Sequence, residues 1–218
     1  MVKHARTTVI SLAILACGGG IVLASGLLRL PTLPVTVDHG EWLAGSHSTL
    51  DITLFGVPAG YDVTDGTYPG WCLENNLADD PGDGSILPLM DSTDPSSFVD
   101  PCESFASIPW DKVNYLLNHK VGEFFDVQLA LWVVANTNYW GMEPTAEAWA
   151  MINDAEANGA GFVPQAGDVV AVALCADGLS GAVDPDGVQD TIIEVERLLI
   201  YSDGFESGDV SAWSSYVP

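Results

Sequence analysis

The ten residues VQLALWVVAN, from Val127 to Asn136, constrain this chain more than any others because they are apolar on every side. A helix with one apolar stripe can lie on a surface, but a helix that is apolar all round must be enclosed. Asp126, immediately before the segment, offers a capping side chain. The rest of the chain must therefore supply walls around it. Strand character comes first: Leu50, Ile52 and Leu54 alternate with Asp51 and Thr53, and turns follow at VPAG and TDGTYPG. The stretch GWC, ending at Cys72, then falls at or near the end of a strand. Asn75 to Ser107 is rich in Asp, Pro, Ser and Gly and reads as a long surface excursion.

Helices flank the enclosed segment. Pro109 suits a first helical turn, and Trp110, Val113, Leu116 and Leu117 follow at helical spacing as far as His119 and Gly122. TAEAWAMINDAEANG starts after Pro144 and stops at Gly159. Two strand-like segments, GDVVAVALCAD and TIIEVERLLI, come last, and in the second Ile193 and Val195 alternate with Glu194 and Glu196. Strands, then helices, then strands predict an α+β fold. The expected domain is single and compact, with antiparallel strands and an inserted group of about three helices over residues 35–200. Pro31 to Pro34 reads as a linker, residues 201–218 as a flexible tail, and no internal repeat is present.

The first residues bear on compartment. Lys3 and Arg6 precede an uncharged run from Val9 to Leu28, the pattern of an export signal, and Ala24 and Gly26 offer cleavage that would make residues 1–26 a signal peptide. The run also approaches the ~20 apolar residues of a spanning anchor, and Cys17 after Ile-Leu-Ala resembles a lipoprotein box. All three readings put the remainder outside the cytoplasm, secreted or at the cell surface, with membrane contact only through such an anchor. All thirty Asp and Glu lie from Asp38 onward, and the part expected to be exported sets only Arg29, Lys112, Lys120 and Arg197 against them. That surface repels nucleic acid and anionic lipid, so nucleic-acid partners are set aside. Seven Trp and 48% apolar residues exclude a disordered acidic chain.

Gln128 is the anomaly inside the enclosed helix. A buried primary amide is costly unless partners satisfy it. One solution is hydrogen bonding to backbone or water. Another consumes the amide: a thiolate attacks the side-chain carbonyl, expels ammonia and leaves an internal thioester, provided that water is kept away. Cys72 and Gln128 each have an indole next door, Trp71 and Trp132.

Here the sequence resembles the thioester domains of bacterial surface proteins, in which an aromatic-Cys motif bonds to the Gln of an apolar-Gln-x-x-apolar-apolar helix. Val127-Gln128-Leu129-Ala130-Leu131-Trp132 fits the second motif and Trp71-Cys72 resembles the first, while "WDKVNYLLNHK" and "AWAMINDAEANGAGFVPQAGDVVAV" are similar to the neighbouring elements. Leu73 stands where members often carry an aromatic residue, and Val127 where they carry Thr. The resemblance implies a Cys72–Gln128 thioester supported by Trp71 and Trp132. It also implies covalent, single-use adhesion to an amine-bearing protein or other surface ligand, with neither cofactor nor turnover. Once Cys17 has left with the signal, three cysteines remain. Reserving Cys72 for Gln128 lets Cys102 pair with Cys175.

Other readings compete. A passive disulfide-stapled module, structural or binding a ligand non-covalently, would pair Cys72 with Cys102. A cysteine hydrolase would need His39, His47 or His119 near Cys72, and His119 reads instead as a helix cap facing water. Zinc lacks ligand spacing, so no metal is expected there. Asp79, Asp80 and Asp83, or Asp184, Asp186 and Asp190, could offer oxygens to calcium but match no calcium-loop spacing. Trp110 and Trp149 sit at core spacing rather than forming a sugar platform.

Overall fold

The computed structural model describes residues 27–41, 48–73, 84–137, 142–176 and 190–197. Residues 1–26 and 201–218, read above as a signal and a tail, and His47, Asp79, Asp80, Asp83, Asp184 and Asp186 lie outside those residues. The described elements are, in chain order, β1 (Val35–His39), β2 (Leu50–Phe55), β3 (Gly66–Cys72), β4 (Ser85–Leu87), β5 (Leu89–Asp91), α1 (Trp110–Asn118), α2 (Phe124–Val134), α3 (Ala146–Asn158), β6 (Val169–Leu174) and β7 (Thr191–Glu196). Seven strands form one sheet in the order β4-β1-β2-β3-β7-β6-β5, every pair antiparallel. The fold is α+β, with the helices inserted between strands.

Pro88 alone separates β4 from β5, yet these two strands stand at opposite ends of the sheet. Leu87 pairs with Val35 of β1, and Leu89 with Leu174 of β6. Two residues of chain span at most about 7 Å, so the sheet is rolled until its edges meet at Pro88. Proline suits the junction because it has no N–H to contribute to either ladder.

Alternation assigns the faces of this rolled sheet. Val37, Leu50, Ile52, Leu54, Val172, Leu174 and Ile193 line the inside and are buried, and His39, Cys72 and Thr191 fall on the same face by register. Gly70 belongs there too. A Cβ on it would meet Ile52 Cδ1 at 2.4 Å, so only glycine lets the Ile52 side chain lie across β3. The outer face is partly exposed along β1 and β2, at Thr36, Asp38, Asp51 and Thr53. Along β3, β7 and β6 it is covered: α1 packs on β6, α2 reaches β3, and α3 packs on both helices.

The enclosed helix α2 begins earlier than Asp126 suggests. Glu123 is its N-cap, and a capping box forms in which Glu123 N–H donates to Asp126 Oδ2 at 2.9 Å. Asp126 is thus the third helical residue, also held by Thr145 Oγ1 at 2.6 Å. Asn136 ends the helix in the left-handed region, φ 56°, with Thr137 N–H donating to Trp132 O at 3.2 Å and Asn136 N–H to Val133 O at 3.1 Å. That double closure is a Schellman motif, and asparagine tolerates its backbone conformation.

Where β5 ends, the free edge of β6 is covered by side chains. Asn114 Oδ1 accepts from Ala171 N–H at 2.8 Å, and Asn118 one turn on accepts from Val169 N–H and donates to Val169 O, both at 2.8 Å. Two amides of α1 thus do for β6 what a further strand would.

Two sequence expectations need correction. The stretch from Asn75 to Ser107 is not simply a surface excursion, since its described part carries β4 and β5 and buries Leu87, Leu89, Met90, Phe98 and Phe105. Strands of three residues are too short to show a period among turn-forming neighbours. Trp110 is core, stacked on Phe98 at 5.4 Å, but Trp149 is 43% exposed because α3 turns that face outward.

Candidate functional site

The end of β3 outruns β2, whose pairing stops at Leu50 opposite Gly70. The backbone beyond that point needs other partners. Ser48 Oγ accepts from Gly70 N–H at 3.1 Å. At Cys72 the partner is Gln128 of α2. Its Oε1 accepts from Cys72 N–H at 2.9 Å, and its Nε2 donates to Cys72 O at 2.8 Å. Thr49 Oγ1 donates to the same Oε1 at 2.7 Å.

The structure therefore brings Cys72 and Gln128 together, 56 residues apart in sequence. Gln128 is 0% exposed and Cys72 1%, so bulk water does not reach the pair. Both acceptor directions of the Gln128 carbonyl are occupied by donors. This arrangement draws electron density from the carbonyl carbon and would stabilise negative charge on its oxygen, as an oxyanion hole does.

Each flanking indole has its own setting. Trp132 lies one helical turn beyond Gln128 and is buried. Trp71 is turned by strand alternation to the opposite face from Cys72, under the helices. Its Nε1 donates to Glu194 Oε1 at 2.7 Å, Lys120 Nζ lies 5.6 Å from its ring centroid, and Lys120 pairs with Glu194. The alternation of Glu194 with Ile193 gave no sign of this. Its carboxylate is buried on the outer face of β7 because Lys120, two residues beyond α1, brings a cation to it.

Cys102 and Cys175 are joined by a disulfide, with Cα atoms 6.2 Å apart, tying the turn before α1 to the end of β6. Cys72 lies outside that bridge. His119 caps α1, its Nδ1 2.8 Å from Tyr115 O, and is exposed. His39 is buried on the inner face, its Nε2 3.2 Å from Thr191 Oγ1. Asp190 Oδ1 accepts from Ala176 N–H at 2.7 Å. Among the described residues no group of His, Cys, Asp and Glu is arranged to hold a metal, and no helix is long and apolar enough to cross a membrane.

Thr49 had no local signal in the sequence as a donor to Gln128, nor Thr191 as the partner of His39. These contacts come from the tertiary fold, not from spacing. Fold and site together define an α+β domain with a buried cysteine–glutamine pair. Compared with known family models, curated proteins and solved structures, the chain matches none.

Proposed function

We propose that this domain is a secreted or surface-displayed covalent binder whose Cys72 and Gln128 side chains join as an internal thioester. One observation carries the reading: the Gln128 carboxamide is held on Cys72 in a fully buried position, its carbonyl oxygen gripped by Cys72 N–H and the Thr49 hydroxyl. In the proposed step Cys72 Sγ attacks Gln128 Cδ, the C–N bond breaks, and the nitrogen leaves as ammonia with the thiol proton. An amine on a target then attacks the same carbon, forms an amide, and returns Sγ to a thiol. Nothing restores the thioester, so the domain acts once and is not a turnover enzyme. Its partner is a protein or other surface bearing an accessible amine. The resemblance to bacterial thioester domains, and the pairing of the other two cysteines away from Cys72, support this reading.

A second reading rests on the other half of the clamp. Gln128 Nε2 donates to Cys72 O at 2.8 Å, and an intact amide that simply completes the β3 edge needs that nitrogen. Intact mass separates the two. The covalent binder weighs one ammonia less than its sequence, beyond the hydrogens lost to the disulfide, and takes up a small amine at Gln128 while exposing the Cys72 thiol. Full sequence mass with no amine adduct would leave the passive, disulfide-stapled module.

A further inference from the structure

His39 is the one imidazole on the inner face of the described sheet, 3% exposed among Val37, Ile52 and other aliphatic side chains. Burying an imidazole there is costly without a polar partner. The partner is informative: His39 Nε2 lies 3.2 Å from Thr191 Oγ1, and Thr191 is the cross-strand partner of Cys72. Side chains directly opposite on an antiparallel pair have Cβ atoms about 4.5–5.5 Å apart, so the Thr191 and Cys72 side chains leave their strands as neighbours on the inner face. The rolling of the sheet makes this contact, since β1 and β7 are separated by two strands in the sheet order. His39 and Thr191 are thus joined by side-chain contact, Thr191 and Cys72 by register, and Cys72 and Gln128 by backbone hydrogen bonds, ending at the carbonyl oxygen held by Cys72 N–H and Thr49.

We infer that His39, acting through the Thr191 hydroxyl, moves the proton that must leave Cys72 for the internal bond to form. The inference rests on the thioester reading above. A thiol attacks as its thiolate, and an apolar interior opposes unassisted loss of that proton. With the imidazole proton on Nδ1, Thr191 gives its hydroxyl proton to His39 Nε2 as it takes the one from Cys72 Sγ. Sγ bonds to Gln128 Cδ, and the carbonyl pair moves onto Oε1 between its two donors. The proton held on the imidazolium passes back to the departing nitrogen, the C–N bond breaks, and ammonia leaves. His39 and Thr191 end as they began. His39 is thus a positioning and proton-relay residue, not a nucleophile.

Time-resolved intact mass of the full chain, made by cell-free synthesis under oxidising conditions, tests this. The freshly made chain holds Gln128 intact, and loss of one ammonia marks the bond. His39→Gln and Thr191→Val should each slow that loss by about 10²-fold or more, the span of general acid–base assistance. Thr191→Ser should restore it, which a purely packing role for the Thr191 methyl would not allow. Ammonia loss at the unaltered rate in both slow-expected variants, each folded by circular dichroism, would overturn the relay while leaving the thioester standing. No ammonia loss in the unaltered chain would overturn both.

Discussion

Two helices of this domain press primary amides onto strand edges, and they differ in what they grip. Asn114 and Asn118 of α1 take the backbone of Ala171 and Val169, and Gln128 of α2 takes the backbone of Cys72. Asn118 and Gln128 both copy the donor–acceptor pair of a neighbouring strand, one amide face to one residue. The asparagines hold residues with inert side chains. Gln128 holds a cysteine, and its oxygen receives the Thr49 hydroxyl besides a backbone N–H. The clamp is therefore an architectural device that the fold uses twice. The thiol and the second donor are additions at one of the two places.

The sharpest way to break this contrast is labelling. After incubation with a small amine, peptide mapping should find the adduct at Gln128 and none at Asn114 or Asn118, and Cys72→Ala should abolish it. Adduct on either asparagine would make the two clamps equivalent. Next in size is the second donor: Thr49→Val should slow amine capture about 10²-fold, the usual effect of deleting one such donor, with the initial ammonia loss followed separately by mass. Stability effects are smaller and bear on what the clamps share. Gln128→Ala strands Cys72 N–H and C=O in a dry site and should cost roughly 2–4 kcal/mol in urea unfolding, measured against the thioester-free Cys72→Ala background. Asn114→Ala should cost roughly 1–3 kcal/mol by the same measurement and leave amine capture unchanged. The smallest effect belongs outside both clamps: Trp149→Ala, on the exposed face of α3, should stay within about 0.5 kcal/mol. A larger loss would mean that this face is covered.

Much of this was legible in the chain because it is local. A ten-residue run apolar on every side had to be interior, and the one glutamine in it had to meet a partner. α3 carries its cap at Thr145 and its stop at Gly159 in plain view. What stayed hidden depends on the path of the sheet. Leu87 and Leu89 sit among turn-formers, and no periodicity shows that they close opposite edges. Glu194 alternates like a solvent-facing residue until Lys120 and Trp71 arrive from the helix side. His39 and Thr191 are 152 positions apart and meet only because the sheet rolls. Thr49 lies just before β2, with nothing to mark it as the donor to an amide 79 residues on.

The junction at Pro88 has a consequence for how such a molecule could be cut. In an open sheet the two outer strands are separate targets, and a protease that frees one leaves the other in place. Here a single scission between Leu87 and Leu89 would cut the covalent tie between both edge strands, loosening β1 at one side and β6 at the other. Damage to the chain at that point is not local. It would release both outer strands at once, and the ladder vacated by either could recruit an extended segment from another molecule.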